Sequence, residues 1–373
     1  MNTRTPAEVF PPGEFIRDEL EARGWTQDDL AQIMGRPQTA INLIINDKRG
    51  ITPETAIELG GAFGTSPEFW LNLDSVYKLS KVSEPVPVAE IRQRAALFEA
   101  SPVGDMEKRG WIRQTSSIIE LKQELAMFYA DVNVDNFKVA ARASTEQGQI
   151  TPEQMAWCVR SLKLAKTIPA REYRPENMEA CKKNLRELAA FPEGTARISE
   201  VLASFGIRFV VVEHLTGTKI DGAALWLGTG WDKPVIAVSV RYDRIDSFWH
   251  TLCHELSHIE HKDFGAVIDI DLLGNEKRNE QVIAVEERAD REAAATLIPT
   301  SKLESFILRK RPFFSKVSII QFANANRVHP GIVAGQLHHR LNNWKANREM
   351  LVKVRDIVTS RTLTDGWGVQ IAK

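Results

Sequence analysis

His254-Glu255-Leu256-Ser257-His258 is the most chemically pointed stretch of the sequence. Residues four apart share one face of a helix, so two imidazoles at this spacing can converge on one ion. The glutamate beside the first histidine is then placed to act on a metal-bound water. Two histidines leave a zinc site one protein ligand short, and an acid must come from elsewhere. The segment VEERADREAAATLIP offers Glu286, Glu287, Asp290 and Glu292. Glu286 and Asp290 stand one helical turn apart. Glu286 would reach the metal, and Asp290 would accept a hydrogen bond from the far nitrogen of a ligating histidine. Glu287 is the rival ligand. Glu286 is preferred because only it has a carboxylate four residues on, with Ala289, Ala293 and Ala294 leaving room for close packing. His338 and His339 are candidates to face a developing oxyanion. Cys253 points off the ligand face and reads as a packing residue.

A second constellation lies at the other end of the chain. Residues 26–49, TQDDLAQIMGRPQTAINLIINDKR, fit two helices joined by a tight turn. Leu30, Ala31, Ile33, Ile41 and Ile44 are spaced to form a small core between them. Gly35 stands where the turn needs a permissive backbone. Gln38, Thr39 and Asn42 fall near the start of the second helix, where side chains of a recognition helix meet base edges. Gln and Asn can pair bidentately with adenine. Arg36, Lys48, Arg49 and Gln27 are candidates for phosphate contact. The charge opposes strong non-specific binding: residues 1–79 hold seven basic and twelve acidic side chains, a net of −5.

These residues need elements to hold them. Hydrophobic residues make up 43% of the 373 and charged residues 26%, ordinary for a globular protein. Capping patterns at Thr26/Asp29, Thr52-Pro53-Glu54 and Ser66-Pro67-Glu68 predict five short helices near 15–23, 27–34, 37–46, 53–63 and 67–78. Prolines 85 and 87 mark a linker over 81–95. A helical lead-in over 96–205 follows, with a further helix start at Thr151-Pro152-Glu153. Ile207–Val212, Ala223–Leu227 and Val235–Val240 read as strands of a small sheet. Helical character returns from Asp243 to Lys262 and persists to about residue 356, with a loop around 263–279. Three scattered cysteines, Cys158, Cys181 and Cys253, give no disulfide framework and suit a reducing compartment. With no apolar leader and no membrane-length apolar run, the expectation is a cytoplasmic protein without a membrane partner.

Two resemblances sharpen the reading. The stretches GIRFVVVEHLTGTKIDGAALWLG, KPVIAVSVRYDRIDSFWHTLCHELSHIEHKD and EERADREAAATLIP resemble the ImmA/IrrE family of metallopeptidases, from about Ile207 to Pro299. That resemblance implies one Zn2+ per chain held by His254, His258 and Glu286, with Glu255 as general base. His250 departs from it, since an aromatic is more usual there; one turn before His254, it could sit near the metal, but the preferred reading is a helix-packing histidine. The stretch PGEFIRDELEARGWTQDDLAQIMGRPQTAINLIINDKRGITPETAIELGGAFGTSPEFWLNL resembles HigA-type antitoxins of the helix-turn-helix repressors. It implies a homodimer that binds operator DNA and can bind a toxin. Asp47 replaces a more usual glycine after the recognition helix, and Leu43 is apolar where polar residues are usual.

Together these give a mainly α protein with a small β-sheet (α+β). An all-α helix-turn-helix domain occupies 1–80, a zincin-like metallopeptidase core 206–300, and a helical region 301–373. The expected function is a DNA-binding regulator or antitoxin whose zinc endopeptidase-type domain cleaves a regulatory protein or the chain itself. The alternative is a zinc domain that binds a toxin or signal without hydrolysis. Operator DNA and a toxin or partner repressor are the expected partners.

Overall fold

Local capping chemistry sets the helix starts of the N-terminal unit. A computed structural model describes residues 9–82, 88–130, 150–228, 230–263, 267–270 and 280–368. It divides into one unit up to Ile91 and a second from Arg92 onward. The first contains α1 (Pro12–Arg23), α2 (Gln27–Ile33), α3 (Gln38–Ile45), α4 (Pro53–Phe63) and α5 (Pro67–Ser80). Thr26 and Asp29 form a capping box on α2, and the Thr52 and Ser66 hydroxyls accept from Thr55 and Phe69 N–H groups. Gly35 (φ 63°) and Asp47 (φ 56°) take the left-handed conformation at the two ends of the α3 region. Asp47 does so without the usual glycine because Asp tolerates that region better than most residues.

Ile16, Leu20, Leu30, Ala31, Ile41, Ile44, Ile45, Leu59, Phe63 and Trp70 form the core of this unit. Ile33 corrects the sequence reading: it is 50% exposed. It is the last residue of α2 and falls past the crossing with α3, so its side chain points outward.

The second unit is built around a five-stranded mixed sheet, with β1 Arg208–Val212, β2 Ile220–Trp226, β3 Pro234–Val238, β4 Val267–Ile270 and β5 Thr364–Asp365 in the order β4-β2-β3-β1-β5. β1 pairs parallel with β3 and β5, whereas β2 runs antiparallel to β3 and β4. The edge strands β4 and β5 had no clear sequence signal. β4 lies inside the stretch expected to be a loop, and β5 is two residues long. In both, pairing with a neighbour decides the conformation.

Both faces of the sheet are covered, which explains the unbroken apolar run Phe209–Val212. Phe209, Val211, Ala224, Ile236 and Val238 face one core. Val210, Val212, Ala223, Leu225, Val235 and Ala237 face the other. The second face is covered by α7 (Val103–Lys108), α8 (Ile118–Tyr129) and α9 (Pro152–Ala165). The lead-in region therefore supplies most of the core on this face of the sheet. On the first face lie α10 (Met178–Leu188), α11 (Ile198–Ser204) and α12 (Ile245–His261), the helix bearing the histidines. Then follow α13 (Glu280–Leu297), α14 (Thr300–Lys310), α15 (Lys316–Asn326), α16 (Pro330–Leu341) and α17 (Arg355–Thr359). Of the stretch read as a linker, 83–87 lies outside the described residues. From Val88 to Ala100 the chain is a helix, α6, where proline ends and good helix formers resume.

Trp157 pins α9 to the sheet. It is fully buried, and its indole N–H donates to the Val212 carbonyl at 2.9 Å. Trp157→Phe keeps most of the ring and removes the donor, so it should lower stability by about 1–3 kcal/mol. Trp157→Ala should cost about 3–5 kcal/mol through the cavity it leaves. Urea titration followed by far-ultraviolet circular dichroism measures both, and a Trp157→Phe variant as stable as wild type would refute the hydrogen bond's contribution.

Candidate metal centre and nucleic-acid interface

α12 is amphipathic in an unusual sense: its apolar residues Phe248, Leu252, Leu256 and Ile259 are buried, and so are His254, Glu255 and His258. The polar face points at α13, the helix packed most closely against it. Ala289 and Ala293 are buried without exposure, which lets the two helices approach.

At this crossing three donors converge. His254 Nε2 lies 2.9 Å from His258 Nε2 and 3.2 Å from Glu286 Oε2. His258 Nε2 is 3.8 Å from Glu286 Oε1. Edges near 3.3 Å are expected of a tetrahedron with bonds of about 2.0–2.1 Å. Each ring also has a carboxylate at its other nitrogen. Asp290 Oδ1 is 2.9 Å from His254 Nδ1, and Asp263 Oδ2 is 2.7 Å from His258 Nδ1. With both Nδ1–H groups donating to carboxylates, both Nε2 atoms present lone pairs, aimed at one point beside a third negative group. A divalent cation suits this donor set. His254 and His258 are 2% and 1% exposed, so the donors are dry as well as convergent. The arrangement is that of the E-x-x-x-D acid pair, whereas Glu287 is exposed and stands outside the cluster.

Asp290 and Asp263 are held in the ionised form by their partners. Burial acts to raise the pKa of Asp290, but hydrogen bonds from His250 and His254 outweigh it and hold it well below the usual range. Burial likewise acts to raise the pKa of Asp263, but His258 and Arg288 outweigh it and hold the carboxyl below the usual range. Asp263 was not singled out from sequence. It stands five residues beyond His258, which is off the ligand face of a continuous helix. It reaches back because Lys262 caps α12 in the left-handed conformation (φ 50°), and the Asp263 N–H donates to the His258 carbonyl.

Glu255 is fully buried between α12 and the sheet. A Cβ on Gly222 of β2 would lie 2.8 Å from Glu255 Oε1 and 2.6 Å from Thr251 Cγ2. The bare backbone of Gly222 thus makes the space for the carboxylate. His250 packs between helices and also lies beside the cluster. It is partly exposed, sits 3.3 Å from Asp290 Oδ1, and stacks on His339. His338 is buried, with Nε2 2.5 Å from the Ala346 carbonyl, so it faces away from the three converging donors. His339 is exposed and meets His250 and Trp344 instead. Cys253 is buried in the apolar core.

In the N-terminal unit, α3 presents Gln38, Thr39 and Asn42 to solvent, with Lys48 and Arg49 exposed in the turn that follows. Leu43 is 39% exposed beside them. The Lys48 and Arg49 N–H groups both donate to the Leu43 carbonyl, which fixes that turn against the helix end. Asn42 donates to Gln27 Oε1 at 3.3 Å, tying the first residue of α2 to α3. Arg36 is engaged internally, with Nη2 3.0 Å from Glu58 Oε1, and this bond raises its pKa further. A phosphate contact by Arg36 would have to compete with Glu58. Arg17, which sequence reading passed over, donates to the Ile45 carbonyl at 3.0 Å and holds the end of α3.

The Helix-turn-helix family model matches residues 16–70. The chain is 41% identical over 76 residues to an HTH-type transcriptional regulator of Haemophilus influenzae, covering 20% of this chain and 68% of that protein. It is 38% identical over 77 residues to antitoxin HigA-1 of Vibrio cholerae, covering 20% and 70%. Among solved structures, Pseudomonas aeruginosa antitoxin HigA with higBA promoter is 38% identical, over 20% of this chain and 80% of that one, with a TM-score of 0.19.

Adding a methyl at Gly222 should force Glu255 and Thr251 to shift, at about 1–3 kcal/mol for overpacking. Thr251→Ser removes the Cγ2 atom, so the double variant Gly222→Ala/Thr251→Ser should recover part of that loss. A denaturant double-mutant cycle reads the coupling. Strict additivity would show that the two groups do not meet.

Proposed function

Because this chain belongs, through its N-terminal domain, to the helix-turn-helix transcriptional regulators that include HigA-type antitoxins, we propose that it is an operator-binding regulator carrying a zinc-dependent endopeptidase. The observation that carries the enzymatic half is the convergence of two buried imidazoles and the partly buried Glu286 carboxylate on one point. His254, His258 and Glu286 would hold Zn2+. The ion supplies Lewis-acid polarisation of a peptide carbonyl and makes water at the site more acidic. Asp290 orients His254. Glu255, one residue along from His254, takes a proton on its carboxylate from the attacking water and returns it to the departing amine nitrogen. The substrate is a regulatory protein or a segment of the chain itself. A toxin, a partner repressor and a second copy of the chain are the proposed protein partners.

For DNA, Gln38, Thr39 and Asn42 read base edges from the exposed face of α3, while Lys48, Arg49 and Gln27 contact phosphates. The local net charge of −5 means that affinity rests on such placed contacts rather than on a general basic field. A second reading keeps zinc and removes turnover, the domain then binding a toxin or signal. It is favoured by the same donor set, which needs no catalysis to hold an ion.

The Glu255→Gln variant separates the two. It should retain one zinc per chain and abolish cleavage, seen as longer lifetimes of particular proteins in cells by quantitative mass spectrometry. Identical protein lifetimes for wild type and variant would leave the binding reading standing. On DNA chosen by in vitro selection from random duplexes, Gln38→Ala with Asn42→Ala should weaken specific binding by about 1–3 kcal/mol per lost base contact. Lys48→Ala should instead weaken all sequences alike and lower the salt slope by about one. Unchanged specificity in the double variant would exclude α3 as the reading helix.

A further inference from the structure

The two histidines of the metal cluster are not held alike. His254 leans on Asp290, whose side chain is 60% exposed and is shared with the partly exposed His250. His258 leans on Asp263, whose side chain is 9% exposed. Asp263 in turn is ion-paired to Arg288 of α13, two residues from Glu286 on the same helix. The backbone closes the arrangement. The left-handed Lys262 turns the chain at the end of α12, and the Asp263 N–H is bonded to the carbonyl of His258 itself. Asp263 is therefore fixed to His258 at backbone and side chain, and to α13 through Arg288.

From this asymmetry we propose that Asp263 is the dominant positioning residue of the metal site. Clamped by Arg288, it sets the ring orientation of His258 and locks α12 to α13, while Asp290 contributes less. This rests on the zinc reading above and deepens it. A buried carboxylate with two fixed partners loses little freedom when the ion arrives. The exposed Asp290 divides a single oxygen, Oδ1, between two rings. Orienting partners of this kind are worth about 10–100-fold in metal affinity. Arg288 gains a role that no metal-ligand motif assigns it: it connects the helix carrying Glu286 to the partner of His258, so the two halves of the site are held in register.

The test is zinc affinity of the full-length chain, by competition with a chromophoric chelator, with circular dichroism confirming the fold. Asp263→Ala should weaken zinc by about 10–100-fold. Asp263→Asn keeps an oxygen that accepts the His258 Nδ1–H, and should recover most of that loss. Asp290→Ala should lose less than Asp263→Ala. Should Asp263→Ala fail to fold, Arg288→Ala provides the reading, since it leaves the carboxylate but frees it. It should weaken zinc several-fold and alter the visible absorption of the cobalt(II)-substituted protein. A purely structural ion pair would lower stability while leaving affinity and cobalt spectrum as in wild type, and that outcome overturns the proposal. So does a larger loss for Asp290→Ala than for Asp263→Ala. If wild type takes up no stoichiometric zinc, the zinc reading itself fails and this inference falls with it.

Discussion

The second unit depends on the contact between α12 and α13, where polar groups that would be costly to bury singly are buried together. Histidines, carboxylates and an arginine occupy a crossing that alanines make close. Each charged group there has a partner, which is what the desolvation cost of burial demands. The pairing also selects the tautomers. Carboxylates at both Nδ1 positions turn both Nε2 lone pairs inward, and that is what converts a polar helix interface into a ligand set.

The rest of this unit supports that crossing. α12 rests on a sheet whose strands are apolar on both faces, so the helix is set on a rigid floor. The opposite face is closed by α7–α9, with Trp157 bonded to the end of β1. Asp365 of β5 accepts from the Trp111 indole and pairs with Arg160, fastening the last strand to the same helical layer. The floor also leaves a gap where it is needed. Gly222 brings bare backbone against Glu255, so a fully buried carboxylate fits beside the face that carries His254 and His258.

The N-terminal unit solves a different problem with the same materials. Its core is small and mostly apolar, with Thr55 buried beside it, and the exposed polar face of α3 is short. With net negative charge it cannot rely on field strength for DNA, so geometry must carry the recognition: α3 is held by Arg17 at one end and by Gln27 along its side. Arg36, just before α3, is engaged by Glu58 within the unit.

What the sequence by itself determined was whatever local periodicity and capping control. The five N-terminal helices, the three long strands and the His254–His258 helix were legible because caps, prolines and apolar spacing act within one turn or one strand. The trio of His254, His258 and Glu286 was legible for a related reason: two ligands share a helix face, and an acid pair at helical spacing could supply the third. Tertiary structure decided the remainder. Asp263 became a partner of His258 only through a left-handed turn that breaks helical spacing. Ile33 was turned outward by where two helices cross, and His250 was placed beside Asp290 and His339 by packing between three helices. β4 and β5, too short to declare themselves, exist because neighbouring strands offer them hydrogen bonds. Pattern reports what a residue's nearest neighbours in the chain impose, and these features were imposed by residues far along it.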